Sequence, residues 1–142
     1  LFLARLSPAD YHRFHFPADG EVIRTNRIRG KYHAVNPIAL DRKPDILFRN
    51  TRMLSVLQLN AFGETVMVEI GAFAVGSIVQ TYRTNRFKKM DEKGYFQFGG
   101  STVVMLLQGE SVDVDHDITE NSAKGYETLV RAGERIGCCR PR

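Results

Sequence analysis

The sequence predicts a mainly β protein, an antiparallel sandwich or flattened barrel with short helical segments, on three observations. Met53 to Phe62 and Thr65 to Ile70 alternate apolar and polar residues around Gly63-Glu64, the pattern of a half-buried hairpin. Further short runs rich in β-branched and aromatic residues, such as Val75 to Tyr82 and Val103 to Leu107, are separated by Gly, Asn-Pro and Asp-Gly steps. Finally, no segment sustains a long helical period, and no repeat, linker or low-complexity stretch divides the 142 residues. Residues 1–142 are therefore expected to form a single domain or part of one.

The chain opens on the strand-like Leu1 to Leu6. Ser7-Pro8-Ala9-Asp10 then reads as a helical turn reaching Tyr11, with Ser7 as N-cap and Pro8 at the first helical position. After Asp19-Gly20 comes a strand from Glu21 to Ile28, a turn at Arg29-Gly30 and a strand from Lys31 to Val35 ended by Asn36-Pro37. Pro37 to Leu40 is expected to be helical and Ile46 to Phe48 a short strand. Beyond the central hairpin, Tyr95 to Phe98 and Val103 to Leu107 are strands flanking Gly99-Gly100-Ser101, placed at a kink or exposed turn. The last helix is expected around Thr119 to Lys124, with Thr119 as its cap.

The formal charge is +4 and the isoelectric point about 9.3, with Arg24, Arg27, Arg29 and Lys31 clustered and Arg5, Lys88 and Lys89 elsewhere. Such a balance suits an anionic surface. Nucleic acid is not expected, because the aromatics are mainly Phe at alternating, core-like positions. No run approaches the roughly 18 to 20 apolar residues of a membrane-spanning helix. Cys138 and Cys139 are adjacent, so a mutual bridge would be strained; they read as free thiols. Asp113, Asp115, His116 and Asp117 read as solvated loop acids beside an exposed His, and no metal is expected there; His33, near Asn36-Pro37, reads as structural or exposed.

Two segments carry chemistry. At Phe96-Gln97-Phe98-Gly99-Gly100-Ser101-Thr102, a hydroxyl follows a carbonyl that no flanking Cβ shields, so Ser101 can attack Gly100 once a base takes its proton. A β-bulge is the plain structural alternative. Asp10-Tyr11-His12-Arg13-Phe14-His15 supplies two imidazoles, the side chain best able to move protons near neutral pH, with an acid and an Arg beside them. Asp10 alone reads equally well as a capping carboxylate.

Together these segments resemble the phosphatidylserine decarboxylase family. The similarity takes in Ser7 to His15, Tyr32-His33-Ala34-Val35-Asn36-Pro37, Val75-Gly76-Ser77-Ile78, Gly94-Tyr95-Phe96, Gly99 to Thr102, Glu127 to Val130 and Gly133 to Gly137. The resemblance implies a proenzyme in which Ser101 attacks the Gly100 carbonyl and autocatalytic serinolysis yields a β chain of residues 1–100 and an α chain of residues 101–142. Ser101 would become a covalent pyruvoyl group, the cofactor, and phosphatidylserine would be converted through a Schiff base to phosphatidylethanolamine and CO2.

By the same resemblance His15 acts as base in the cleavage, as part of a serine-protease-like triad, and His12 protonates the decarboxylated product. The acid of that triad belongs to a segment upstream of residue 1, so the chain reads as a fragment lacking the N-terminal part; Asp10 is a secondary candidate for orienting a histidine. Arg13 is a candidate for the substrate phosphate, with a structural ion pair as its alternative, and Phe14, Phe16 or Phe98 for the apolar wall that desolvates the carboxylate. Expected partners are phosphatidylserine, an anionic membrane surface, the two cleavage chains for each other, and a second copy in a homo-oligomer, with peripheral attachment to a membrane. The resemblance also puts a small residue where this chain has Met90. Competing readings are a non-cleaving β domain that binds anionic lipid, and a metal-binding protein using His12 and His15.

Overall fold

A computed structural model describes residues 1–73, 77–97 and 100–140. The strands are β1 (Phe2–Leu6), β2 (Arg13–His15), β3 (Gly20–Ile28), β4 (Arg52–Leu59), β5 (Gly63–Ile70), β6 (Ser77–Gln80), β7 (Arg86–Phe87), β8 (Glu92–Gln97), β9 (Ser101–Leu106), β10 (Val112–Val114) and β11 (Gly137–Cys139). The helices are α1 (Pro37–Arg42), α2 (Ile46–Arg49) and α3 (His116–Ala123). A six-stranded sheet runs β1-β9-β5-β4-β3-β7, a three-stranded sheet runs β2-β8-β6, and β10 pairs with β11. All these pairings are antiparallel.

The expected hairpin is β4–β5: Leu57 and Leu59 are buried while Gln58 is exposed, and Gly63, at φ 74°, takes the left-handed conformation that starts the return strand. Val22, Leu57, Leu59 and Met67 of the large sheet share one core cluster with Phe14, Ile78 and Phe96 of the small one. The two sheets therefore face each other across a common interior, as the alternating pattern predicts. Between them Phe16 stacks on Phe87 at 3.5 Å between centroids and meets the edge of Tyr82 at 5.7 Å.

Two register shifts adjust this packing. One, between Val22 and Arg24, leaves Ile23 out of register and exposed. In the other, Phe14 pairs with Gly94 and His15 with Glu92, so Lys93 has no partner on β2. That bulge reverses the local alternation and turns Lys93 inward, where it is fully buried.

Several expectations are corrected. Ile46 to Phe48 is helical: Arg49 and Asn50 donate their N–H groups to the Asp45 and Ile46 carbonyls, and Arg49 pairs with Asp45 at 2.6 Å. A three-residue apolar run fits either conformation, and only Ile46 is buried, against Val35 and Ala72. Lys31 to Val35 is not a strand; Lys31 makes an isolated parallel bridge to Asn50, and the backbone of His33 is held by the Asn50 side chain. Residues 7–10 form a β-turn closed by Asp10 N–H to the Ser7 carbonyl, not a helix. The cap of α3 is Asp115, and Thr119 lies inside the helix, its hydroxyl donating to the His116 carbonyl. Ser101 is not in an exposed turn but is the first residue of β9 and fully buried. Val75 and Gly76 of the expected sixth strand, and Phe98 and Gly99 of the processing motif, lie outside the described residues.

At Gly94, in the middle strand of the small sheet, the flanking strands leave no room for a side chain: a Cβ there would lie 2.0 Å from the Val79 carbonyl oxygen and 2.8 Å from the Phe14 ring. Gly94→Ala is expected to lower stability by about 2 kcal/mol or more, whereas Gly109→Ala, with open space around it, changes it by less than about 0.5 kcal/mol. Urea unfolding of the two variants checks the difference.

Candidate active site

β9 lies between β1 and β5, with Leu6 opposite Ser101 and Arg5 and Ile70 opposite Thr102. Because side chains alternate along a strand, Ser101 shares the inward face with Val103, and the register adds Leu6 and Glu69 to it. Thr102 points to the other face. Both residues are fully buried, yet Ser101 Oγ and Thr102 Oγ1 have no hydrogen-bond partner among the described residues. A buried hydroxyl without a partner costs about 1–3 kcal/mol, so two in succession mark a functional position better than a structural one. Gly100 precedes them, and a Cβ there would lie 3.3 Å from the Leu6 carbonyl oxygen, so a glycine lets the two backbones meet.

The His-containing segment crosses from one side of this position to the other. It leaves β1 at Leu6, the partner of Ser101, and returns where the His12 carbonyl accepts the Phe96 N–H at 2.9 Å. Residues 7–11 thus run from the β1 partner of Ser101 to the residue that binds Phe96, so His12 is fixed to β8 next to its last residue, Gln97. His12 Nδ1 lies 2.6 Å from the Asp10 carbonyl, which can only accept, so Nδ1 carries the proton. The lone pair of Nε2 is then left buried and without a partner among the described residues.

His15 is held differently. Its Nδ1 donates to the Met90 carbonyl at 2.9 Å, and its Nε2 accepts from the Tyr11 hydroxyl at 2.8 Å, the two rings stacked 5.8 Å apart. It pairs with Glu92, four residues along β8 from Phe96, roughly 13 Å of strand. Both ring nitrogens are engaged, which leaves none for a metal, and no group of three metal-ligating side chains occurs among the described residues. Met90 itself has φ 69°, a left-handed conformation that explains why a small residue would suit the turn.

Asp10 does not reach either imidazole with its carboxylate. Oδ2 accepts the Ser7 N–H at 2.7 Å, which holds the carboxyl below its usual range, with Arg5 and His12 adding smaller effects. It is the capping group of the turn, and orients His12 through its carbonyl. Arg13 pairs with Glu92 at 2.6 Å and lies over the Tyr95 ring at 5.2 Å. Phe14 is buried, edge-on to Phe96. Phe98 lies outside the described residues. Arg5 and Lys88, part of the basic balance, are paired with Glu127 and Asp19, and Asp113 and Asp115 with Arg140 and Arg135.

Sequence reasoning missed a buried polar cluster on the inward face. Lys93 Nζ donates to Gln80 Oε1 at 2.7 Å and to Glu69 Oε2 at 3.1 Å, with Glu69 Oε1 at 3.0 Å, and Gln80 Nε2 donates to Glu69 at 3.2 Å. Phe14 and Tyr82 present their ring faces to the ammonium at 5.6 and 5.8 Å. Burial pushes the Glu69 carboxyl up and the Lys93 ammonium down, each opposed by the charge of the other. Glu69 could have been found as the acid on the Thr65–Met67 face of β5; Lys93 could not, because its orientation depends on the bulge.

Residues 1–138 match the family model described as phosphatidylserine decarboxylase. The chain belongs to the phosphatidylserine decarboxylase family. It is 49% identical over 134 residues to a phosphatidylserine decarboxylase proenzyme of Clostridium tetani, covering 94% of this chain and 45% of that protein. A proenzyme of the same name from Ruminiclostridium cellulolyticum is 45% identical over 138 residues, 96% of this chain and 46% of its own. One from Clostridium botulinum strain Eklund 17B is 48% identical over 136 residues, 95% and 46%. The chain thus spans slightly under half the length of these curated relatives. The matched region of this decarboxylase family member holds the Ser101 strand, the His12 turn and the Glu69–Lys93 cluster together.

Two predictions follow from the charges. Lys93→Met leaves Glu69 buried without its cation and is expected to cost about 3–5 kcal/mol in urea unfolding, while Lys93→Met with Glu69→Leu recovers most of that loss. The Glu92 carboxyl is held low by the Thr81 hydroxyl first and by Arg13 second. A lowered folded value gives stability that is present above the ordinary carboxylate range and lost as pH falls through the folded value. Thr81→Val with Arg13→Gln is therefore expected to lower the unfolding free energy at neutral pH and to leave it nearly unchanged once the carboxyl is protonated in both the folded and the unfolded state, so that its fall with acid is shallower than in the parent, read as unfolding free energy against pH.

Proposed function

We propose that the chain is the catalytic part of a pyruvoyl-dependent phosphatidylserine decarboxylase that matures by cutting itself between Gly100 and Ser101. The observation that carries this is that Ser101 Oγ, Thr102 Oγ1 and His12 Nε2 are all buried without a hydrogen-bond partner among the described residues, on a strand and a turn joined through the Leu6–Ser101 pair. Family membership and the name of the relatives as proenzymes support it.

In maturation, Ser101 Oγ attacks the Gly100 carbonyl carbon and the C–N bond breaks, leaving an ester. Loss of the Ser101 Cα proton then expels the Gly100 carboxylate, and water replaces the nitrogen, released as ammonia. His15, whose Nε2 lies 2.8 Å from the Tyr11 hydroxyl, is the candidate base for this step, and His12 is kept for the product. The α chain of residues 101–142 would stay bound to the β chain of residues 1–100, because β9 is paired on both edges and Glu127 holds Arg5 through two hydrogen bonds of 2.7 and 2.6 Å.

The residues present fit the group. A ketone at position 101 would supply the electron sink that lets carbon dioxide leave. Around it, Phe14 and Phe96 exclude water from the interior, and a protonated His12 Nε2 can return a proton to the product. The substrate is a membrane phospholipid, so the working location is a membrane surface, although no described helix is long and apolar enough to cross one.

Intact-mass measurement of the expressed protein tests this. Two polypeptides are expected from the full-length protein that contains this chain, the second beginning at position 101 and lacking the serine nitrogen; an uncut full-length protein would refute it. Ser101→Ala is expected to abolish both cleavage and phosphatidylethanolamine formation, and His12→Ala to retain cleavage while lowering product formation by about 10²- to 10⁴-fold.

A further inference from the structure

Asn50 is fully buried, and its side chain ties three segments together. Oδ1 accepts the His33 N–H at 2.9 Å, and Nδ2 donates to the His33 and Gly71 carbonyls, each at 2.8 Å. The Phe73 N–H donates to the His33 carbonyl, the Lys31 N–H to the Arg49 carbonyl and the Thr51 N–H to the Lys31 carbonyl. The side chains these segments display are unusual for a surface held so firmly. Phe48 of α2 is 75% exposed, Phe73 is 72% exposed and Ile38 of α1 is 68% exposed. Beside them, an open pocket of about 280 Å³ is lined by Arg27, Arg29, Gly30, Tyr32 and Thr51.

Apart from Arg49, which pairs with Asp45, the cations of this region have no acidic partner among the described residues. Arg24, Arg27, Arg29, Lys31, Arg42 and Lys43 form no ion pair among the described residues, whereas Arg5, Arg13 and Lys88 elsewhere all do. Large exposed apolar side chains surrounded by unpaired cations match the two layers of a bilayer surface, acyl chains below anionic phosphates. A soluble anion would need the cations and not the phenyl rings; a neutral apolar partner would need the rings and not the cations.

We infer that the face made by α1, α2, the Phe73 turn and the Arg27–Arg29 pocket docks the protein on anionic phospholipid membranes, with Ile38, Phe48 and Phe73 entering the interface and the pocket taking a lipid phosphate. This rests on the chain acting on a membrane phospholipid, and deepens it by naming the surface that meets the membrane. The position suits that use. Ile70 is opposite Thr102, and Gly71, held by Asn50, continues β5 toward Phe73, so the docking face begins where the Ser101 end of the sheet stops. A lipid could present its headgroup to that end while its acyl chains remain in the bilayer.

The test uses vesicles of phosphatidylglycerol in phosphatidylcholine, since phosphatidylglycerol is anionic and has no carboxylate to lose. Co-sedimentation of the parent is expected to be strong, salt-sensitive and absent with phosphatidylcholine alone. Arg27→Gln with Arg29→Gln, and separately Phe48→Ser with Phe73→Ser, should each weaken binding about tenfold or more with an unchanged urea transition. The chain has no Trp, so Phe48→Trp is a single reporter whose emission should shift to the blue with these vesicles, a reading independent of whether the double variants fold. Parent-like binding by either folded double variant, equal binding to neutral vesicles, displacement from vesicles by inorganic phosphate in place of salt in general, or an unshifted Trp emission would overturn the inference. Binding to a lipid that is not decarboxylated does not depend on turnover. Failure of cleavage and turnover with vesicle binding intact would therefore remove the decarboxylase reading alone, and turnover without vesicle binding would remove the docking face alone.

Discussion

The rest of the structure depends on the insertion of β9 between β1 and β5. Pairing on both edges satisfies the backbone of residues 101–106 and at the same time buries Ser101 and Thr102 away from water, with no partner for either hydroxyl among the described residues. An edge strand would have left Ser101 hydrated. The same pairing would keep the two chains of the proposed cleavage together, because β9 pairs only with β1 and β5, which lie before residue 100 in sequence.

The turn at residues 7–10 leads from the β1 partner of Ser101 to His12. The Asp10 carboxylate closes that turn on the Ser7 N–H, and its carbonyl fixes the tautomer of His12. One residue thus sets both the path of the segment and the direction of the lone pair. His15 is fixed by an independent pair of contacts, Tyr11 and the Met90 carbonyl, so the two imidazoles are oriented separately and can serve separate steps.

Much of this was legible in the sequence, and the misses have physical causes. The β4–β5 hairpin and β9 were readable because alternation with a period of two persists over six residues or more and records which face is buried. The Ile46–Phe48 helix was not, since three apolar residues carry no period, and its helical state is set by Asp45, Arg49 and the burial of one side chain. Ser101 was found from its chemistry, but its burial was not, because Gly-Gly usually marks an exposed turn, and what covers this serine is a strand from the start of the chain. Asn50 looks like an ordinary loop residue in sequence; its role comes from three segments distant in the chain. Lys93 would be placed on the solvent face by strict alternation, and the bulge at His15–Gly94 reverses that.

The bulge also links the two halves of the site. By turning Lys93 inward it sets a cation against Glu69, and Glu69 lies on the inward face of β5 opposite Val103, diagonal to Ser101, a separation of about 7–8 Å in an antiparallel ladder. A charged pair at that depth does not need to favour folding over an apolar pair of equal volume. What it adds is a demand for one register: slipping β8 by a residue would return Lys93 to the surface and leave Glu69 alone in the core. His12 is fixed to Phe96 of the same strand. The Glu69–Lys93 contact therefore fixes the register of β8, and with it the place where His12 is tied to that strand.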